Sequence, residues 1–200
     1  VEKYDHIWAG GFNKRSKSRI FQNVRVDEFE VGNDWSGPYQ GMDFGFSQDP
    51  TAVVECFVRD QILYIRKEAG GIGLELDHTS DYVNKKIVGI DRCVIEADSA
   101  RPESISYLKR KGLPRIKGVK KWAGSIEDGI KHMLSYKEII IHPECKETVK
   151  NFRLYSYKED KRTGNILPDL VDANNDYIDA IRYALSKLIR KKQSLQVISI

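Results

Sequence analysis

The sequence predicts an α/β domain in which one mixed β-sheet carries helices on both faces. Two observations support this class. Three apolar stretches follow one another through short polar connections, which is typical of an antiparallel three-strand meander. After these stretches, helical patterns alternate with short apolar runs, which is typical of parallel strands joined by crossover helices. The stretches of the meander are 39–46, 51–58 and 61–68.

The alternating part of the chain supplies the remaining elements. Pro102 fits the first turn of a helix, and Ile178, Ile181 and Leu185 recur at the spacing of a stripe that faces a core. A turn-rich stretch between two possible strands predicts a β-hairpin over 155–167. We predict helices over 74–87, 102–111, 125–136, 143–154 and 173–190, and strands over 92–97, 113–117 and 138–141.

The length of 200 residues suits a single domain. Residues 1–38 have an irregular pattern and are interpreted as a leading segment or linker that packs onto the domain. The domain itself spans 39–190, and 191–200 form a basic C-terminal tail. Because the chain begins at Val1 and not at Met, we expect it to be a fragment of a longer protein.

The composition, 40% hydrophobic and 31% charged, excludes several classes of protein. No apolar run approaches the ~18 residues that a membrane span requires. The isolated cysteines Cys56, Cys93 and Cys145 lack metal-ligand spacing, and no HxH or HExxH pattern accompanies them. We therefore expect no zinc site, no membrane association, and free thiols in a reducing compartment.

Four aspartates stand where carboxylates are unusual. Asp43 lies in the apolar and aromatic stretch 39–46, and Asp98 closes another predicted strand. Asp176 and Asp179 open the last helix. Because burying an unpaired carboxylate is costly, such acids at strand ends and at a helix start suggest a shared site for a divalent metal.

The predicted topology brings these acids together. If the first strand of the meander pairs in parallel with the strand that ends at Asp98, the carboxylates of Asp43 and Asp98 are neighbours, and Asp179 approaches from the last helix. Hard oxygen ligands favour Mg²⁺ or Mn²⁺. Two such ions about 4 Å apart can activate a water and stabilise the departing oxygen of a phosphodiester.

Each acid also has a purely structural interpretation. Asp43 could bond a turn, Asp98 could cap the helix at Pro102, and the two helical acids could complement the helix dipole. Glu68, which closes the third strand, is a weaker candidate for a metal ligand. These alternatives stay open at the level of single residues.

The net charge is +4, and the basic residues are unevenly distributed. A basic stripe beside a carboxylate cluster suits a polyanion, although a solvated surface is the ordinary interpretation of a lysine run. The stripe consists of Lys109, Arg110, Lys111, Arg115, Lys117, Lys120 and Lys121, with a second group at Lys187, Arg190, Lys191 and Lys192.

Several segments, in this order, resemble one family: the C-terminal nuclease domain of the large terminase subunit of tailed bacteriophages. The similarity covers nearly the whole chain, and the ordered set is far more specific than any one motif. The segments are 4–10 (YDHIWAG), 41–45 (GMDFG), 96–99 (EADS), 120–130 (KKWAGSIEDGI), 139–143 (IIIHP) and 172–185 (DANNDYIDAIRYAL).

The resemblance implies an RNase H-like fold and metal-dependent endonuclease cutting of concatemeric viral double-stranded DNA during genome packaging. It implies catalytic, metal-binding acids at Asp43, Asp98 and Asp179, with Mg²⁺ or Mn²⁺, two ions in all. Many relatives carry histidine where this chain has Asp176. That residue either adds negative charge beside Asp179, with which it shares a helix face, or binds a second metal directly.

The same resemblance implies partners and DNA contacts. Lys120 and Lys121, in a loop before a glycine, and the hairpin residues Lys158, Lys161 and Arg162 are candidates for contacts with DNA phosphates. The chain has no GxxxxGK[ST] phosphate loop, so an ATPase domain is expected upstream in the same polypeptide. The portal protein and the small terminase subunit are the other expected partners, the isolated domain is expected to be monomeric, and the location is the host cytoplasm.

Two other functions compete with this one. Another RNase H-like nuclease, such as a junction resolvase or recombination enzyme, would prefer branched DNA. A non-catalytic module that docks on DNA or on a portal would not cut DNA in the presence of metal.

Overall fold

The computed structural model describes residues 17–45 and 48–190. The first part of the leading segment, 1–16, and the predicted basic tail, 191–200, lie outside the described residues. In the part that is described, no helix is long and apolar enough to cross a membrane.

The described chain forms one large sheet and one separate hairpin. The strands of the large sheet are β1 (Val24–Val26), β2 (Ser36–Asp43), β3 (Thr51–Arg59), β4 (Ile62–Gly71), β5 (Ile95–Ala97), β6 (Ile116–Gly118) and β7 (Glu138–Ile141). Their order across the sheet is β1-β7-β4-β3-β2-β5-β6. The hairpin consists of β8 (Tyr157–Glu159) and β9 (Ile166–Leu170).

The sheet is mixed, as predicted. Strands β2, β3 and β4 form the antiparallel meander, whereas β5, β6, β7 and β1 join it through parallel pairs. The first strand of the meander, β2, pairs in parallel with β5, with Met42 opposite Ala97. The carboxyl ends of β2 and β5 therefore meet at the same edge of the sheet.

Helices cover both faces of the sheet. The buried residues of the meander accordingly alternate between two cores, one on each face. Val53 packs into one core with Val83 and Leu108, and its neighbours Ala52 and Val54 pack into the other. The helices are α1 (Leu76–Lys86), α2 (Pro102–Arg110), α3 (Ser125–Leu134), α4 (Lys146–Leu154) and α5 (Asp176–Ala184). Core residues of α1 and α2 belong to the first core, and those of α3, α4 and α5 belong to the second.

The described part of the leading segment contributes to the domain. Strand β1 pairs with β7 at one edge of the sheet. Ile20 and Phe21 are buried in the second core, where the Phe21 ring lies 4.8 Å from that of Phe152. Residues 17–38 therefore supply an edge strand and core side chains.

The last helix begins three residues later than predicted, at Asp176 and not at residue 173. Asn174 adopts a left-handed conformation, with φ of 56°, which a helix cannot continue through. Asp179 consequently lies in the first turn of α5. Helical structure resumes over 186–190 after one residue of turn.

Candidate metal centre

Asp43 and Asp98 occupy equivalent positions at the ends of neighbouring strands. Asp43 is the last residue of β2, and Asp98 directly follows β5. The backbone N–H of Asp98 donates to the carbonyl oxygen of Met42 at 2.9 Å, so the parallel pairing continues to the two acids. The structure thus brings together two residues that are 55 positions apart in sequence, as the topology predicted.

Helix α5 delivers the other two acids by packing directly on β2. A Cβ atom at Gly41 would lie only 1.9 Å from the carbonyl oxygen of Ala180 and 2.6 Å from the backbone nitrogen of Ala184. Only glycine allows an approach this close. Gly41 therefore lets the first turn of α5, with Asp176 and Asp179, lie beside the end of β2.

The four carboxylates interact electrostatically. Burial, reinforced by the charges of Asp179, Asp98 and Asp176, raises the pKa of Asp43 to about 8. Burial also raises the pKa of Asp179, against the opposing effect of Arg182, and burial raises that of Asp176. A carboxyl group that holds its proton near neutral pH, among other acids, is typical of a functional site.

Two cations pair with two of these acids. The Nζ atom of Lys121 lies 2.5 Å from Oδ1 of Asp98, and the Arg182 guanidinium lies 3.0 Å from Oδ1 of Asp179. Arg182 is buried against α3, where a Cβ atom at Gly129 would lie 2.2 Å from its Cδ atom. Arg182 therefore fixes the carboxylate of Asp179, and Lys121 holds that of Asp98.

Because Asp98 and Asp179 are already paired with cations, the site for a metal ion is only partly formed. Across residues 17–45 and 48–190, no group of three or more His, Cys, Asp or Glu side chains is already arranged to hold a metal ion. The donor set itself consists of carboxylate oxygens, which suit a hard divalent cation. To bind a metal ion, the carboxylates of Asp98 and Asp179 would have to contact the metal in addition to, or in place of, their present partners Lys121 and Arg182.

Glu68, the weaker ligand candidate, has a structural role. Its Oε2 atom accepts hydrogen bonds from the N–H and the hydroxyl of Thr148 at 2.8 and 2.7 Å, and its Oε1 atom accepts one from the N–H of Glu147 at 3.0 Å. Glu68 thus caps the first turn of α4. In the same helix, Oδ1 of Asn151 accepts the N–H of Tyr177 at 3.0 Å, which anchors the start of α5.

An open cleft of about 860 Å³ begins at Asp43 and extends towards β4. Carboxylates dominate its charged lining, so the cleft by itself repels a polyanion. Its charged residues are Asp43, Asp49, Glu147, Lys150, Asp172 and Asp176.

The predicted DNA-contacting residues divide into two places. Lys121 contacts the acid cluster, where its ammonium group also lies 5.5 Å from the centre of the Tyr183 ring, and its neighbour Lys120 belongs to the same loop. The hairpin residues Lys158, Lys161 and Arg162 are exposed on β8 and the turn that follows it.

Sequence reasoning missed Arg182 and Gly129. Arg182 stands three residues after Asp179 and so shares its helix face, which was a usable signal. The close contact between Gly129 and Arg182 depends on how α3 crosses α5, and no local pattern predicts that crossing.

A mixed sheet of this topology, with acids at the ends of β2 and β5 and on the helix that crosses them, defines an RNase H-like domain with a carboxylate site. Comparison with known proteins agrees. The sequence profile of the family described as "Terminase RNAseH like domain" matches residues 43–187. The chain belongs to this family, the RNase H-like nuclease domain of phage large terminase subunits.

Individual relatives give the extent of the similarity. The chain is 32% identical over 179 residues to the large terminase subunit of Bacillus phage SPP1, covering 86% of this chain and 42% of that protein. It is 31% identical over 147 residues to the PBSX phage terminase large subunit of Bacillus subtilis (strain 168), covering 72% and 33%. The chain therefore spans less than half the length of either relative.

Solved structures support the fold. The crystal structure of the large terminase nuclease domain of bacteriophage SPP1, with bound Mn, has a TM-score of 0.74 at 31% identity, over 84% of this chain and 97% of that one. The large terminase of a thermophilic bacteriophage has a TM-score of 0.63 at 20% identity, over 86% of this chain and 45% of that one, and shows the fold alone.

Proposed function

We propose that this domain is a metal-dependent endonuclease that cuts concatemeric double-stranded DNA during packaging of a phage genome. The observation that carries the proposal is Asp43, a partly buried acid whose pKa is raised to about 8 by burial and by three neighbouring aspartates. The similarity to the SPP1 nuclease domain, whose crystal structure has bound Mn, supports the same function.

Asp43, Asp98 and Asp179 are the residues that would hold Mg²⁺ or Mn²⁺, with two ions in this proposal. Such ions supply an activated water and neutralise charge that develops on a phosphodiester. Asp43, placed between the other acids, is the residue we assign to both ions. Asp176, in the first turn of α5, either joins them as a ligand or adds negative charge beside them.

The chain's own residues prepare the site in two ways. Arg182 holds the carboxylate of Asp179 in one orientation, because its guanidinium is buried and contacts Oδ1 through two nitrogen atoms. Lys121 has a half-exposed side chain (41% exposed). It can therefore exchange Asp98 for an incoming DNA phosphate.

Lys120, Lys121, Lys158, Lys161 and Arg162 are proposed to hold the DNA. The hairpin residues and Lys121 are exposed, and phosphate contacts of this kind give affinity without sequence preference. We therefore expect binding that depends steeply on salt and little on sequence.

The proposal extends to the longer protein of which this domain is a part. In it, an upstream ATPase domain of the same polypeptide drives translocation, and the portal protein and the small terminase subunit are partners. The site of action is the cytoplasm of the host cell. The similarity to the SPP1 and PBSX large subunits supports this context.

The proposed function predicts that the 200-residue chain nicks and linearises a supercoiled plasmid with Mn²⁺ or Mg²⁺, and that EDTA abolishes the reaction. Asp98→Asn should lower the cutting rate by roughly 10³-fold, because it removes a charged metal ligand. Agarose-gel time courses measure both effects. Asp77→Asn is the control, since Asp77 lies exposed on α1, which packs on the opposite face of the sheet.

Two outcomes would contradict the proposal. Cutting by Asp98→Asn at the wild-type rate would exclude the assigned site. Rapid cutting of a four-way junction, with linear and supercoiled duplex left intact, would indicate a resolvase instead.

A further inference from the structure

Two lysines converge on one buried carboxylate next to the acid cluster. The ammonium nitrogens of Lys117 and Lys187 each lie 3.2 Å from Oε1 of Glu96. The side chain of Glu96 is 8% exposed, whereas those of Lys117 and Lys187 are 50% and 63% exposed. The three groups together carry a net positive charge that faces solvent.

The fold explains why these residues meet. Glu96 in β5 is directly opposite Lys117 in β6, and β6 is the edge strand of the sheet. Lys187 comes from the helical turns that follow α5. Because Ile95 and Ala97 face the core under α1 and α2, Glu96 and Asp98 point to the other face, the one that α5 covers.

The two lysines can contact an anion without leaving Glu96. Each ammonium nitrogen lies 3.2 Å from Oε1 of Glu96, although the lysine side chains are 50% and 63% exposed. An ammonium group has three N–H donors, so each lysine can keep its ion pair with Glu96 while it donates to an incoming phosphate. Glu96 thereby keeps two mutually repelling cations close together.

The position of this pair matches a DNA strand that crosses the acid cluster. Residues two apart in a strand are separated by about 6.6 Å, which is comparable to the spacing of consecutive phosphates on one DNA strand. The two ion-paired acids at β5 are two residues apart in the chain. Asp98 pairs with Lys121, and Glu96 pairs with Lys117 and Lys187. On the opposite side of Asp43, five of the six charged residues that line the cleft are acids, so the β6 side is the one that attracts DNA.

We propose that Lys117 and Lys187 bind the backbone phosphate next to the one that is cut, with Glu96 holding the two lysines in position. This inference rests on the proposed function, since it takes Asp98 as the place of cutting. It adds a binding site for a single DNA phosphate that lies apart from the acids and from the hairpin.

The first test measures affinity without cutting. A fluorescein-labelled duplex of about 25 base pairs is titrated with the 200-residue chain in EDTA, by fluorescence anisotropy, over a series of salt concentrations. The double variant Lys117→Ala/Lys187→Ala should bind at least roughly tenfold more weakly, and the slope of log K against log salt should fall in magnitude by about 1, since the two lysines neutralise one phosphate.

A matched control separates this site from general charge. Lys85→Ala/Lys86→Ala removes the same charge from α1, on the opposite face of the sheet, and should leave the slope nearly unchanged. If the two double variants have equal slopes, the inference is wrong. Lys187→Ala alone, which changes a mostly exposed side chain, should show about half of the effect and guards against misfolding of the double variant.

Glu96→Gln tests the positioning role of Glu96. If Glu96 holds the two lysines on the phosphate, its neutralisation should weaken DNA binding several-fold in the wild-type background, although it removes a negative charge, and should not weaken it in the Lys117→Ala/Lys187→Ala background. Stronger binding in the wild-type background would show that Glu96 only repels DNA, and that result would overturn the inference.

The two proposals fail in different ways. If the chain cuts no DNA but the salt dependence of its DNA binding changes when the two lysines are removed, the phosphate site is supported and the nuclease function is refuted. Normal metal-dependent cutting with an unchanged slope would retain the nuclease and refute the phosphate site.

Discussion

Asp43→Asn is expected to abolish cutting and, at the same time, to stabilise the metal-free domain. The loss of activity should be roughly 10³-fold or more, because the substitution removes the ligand that we assign to both ions. The gain in stability follows from the pKa of Asp43, which burial and the neighbouring acids raise to about 8. The charged form of this residue is therefore unfavourable in the folded protein.

The sign of the pH dependence follows from proton counting. Between about pH 4 and pH 8, the unfolded chain has released the proton of Asp43 while the folded chain retains it, so this group makes the free energy of unfolding fall as pH rises, by at most about 1.4 kcal/mol per pH unit. Asparagine carries no such proton. The free energy of unfolding gained through Asp43→Asn should therefore be larger at pH 8 than at pH 5, and the difference between the two gains should be on the order of 1–3 kcal/mol.

Urea unfolding in EDTA at about pH 5 and pH 8 measures this difference. Asp77→Asn is again the control, because that exposed substitution should change the free energy of unfolding by less than about 0.5 kcal/mol at either pH. Equal stability of Asp43→Asn and wild type at both values would show that Asp43 is not strained by its surroundings. Full nuclease activity in this variant would refute its role as a ligand.

Gly41→Ala is expected to cause a large loss of stability. The new Cβ atom would lie 1.9 Å from the carbonyl oxygen of Ala180 and 2.6 Å from the nitrogen of Ala184. Both are backbone atoms, so no rotation of a side chain relieves the contact. Helix α5 must move away from β2, at a cost of about 3 kcal/mol or more.

The same displacement moves Asp179 away from Asp43. Material of this variant that still folds should therefore bind Mn²⁺ more weakly than wild type, as measured by isothermal titration calorimetry. Gly118→Ala is the matched strand control, since its Cβ atom would meet nothing closer than 3.1 Å, and it should cost less than about 1 kcal/mol. A Gly41→Ala variant within about 1 kcal/mol of wild type would contradict the packing described for α5.

The meeting of Asp43 and Asp98 could be predicted from the sequence because Asp43 lies late in one apolar run and Asp98 closes another. Once β2 and β5 are parallel neighbours, their carboxyl ends must coincide. Asp179 could be predicted from its place near the start of a strongly apolar helix. For these three acids, the local sequence patterns and the strand topology were together sufficient to predict that they lie close to one another.

Glu68 illustrates what local patterns cannot distinguish. Like Asp43, it is an acid in the second half of a half-buried strand. Its role depends on the first turn of α4, because its carboxylate accepts hydrogen bonds from N–H groups of that turn. The direction of α4 is set by tertiary packing, which no local pattern shows. The pairing of Lys121 with Asp98 and of Lys187 with Glu96 likewise depends on loop and helix positions.

Strand β1 was not predicted for a different reason. It has three residues, too few for periodicity to indicate a strand. Its place at the edge of the sheet comes from pairing with β7, which lies far later in the chain. The pattern of residues 1–38 therefore predicts only a leading segment or linker that packs onto the domain, whereas Val24–Val26 within this range form a strand of the sheet.

The central claim is that Asp43 joins the acids at the ends of β2, β5 and α5 into one cation site. Crystals of the 200-residue chain soaked in MnCl₂, with data collected at the manganese absorption edge, test it directly. We predict anomalous peaks within coordination distance of Asp43, at least one of them also within coordination distance of Asp98 or Asp179, and we predict that Lys121 is displaced from Asp98. Anomalous peaks only at places that do not touch Asp43 would contradict it.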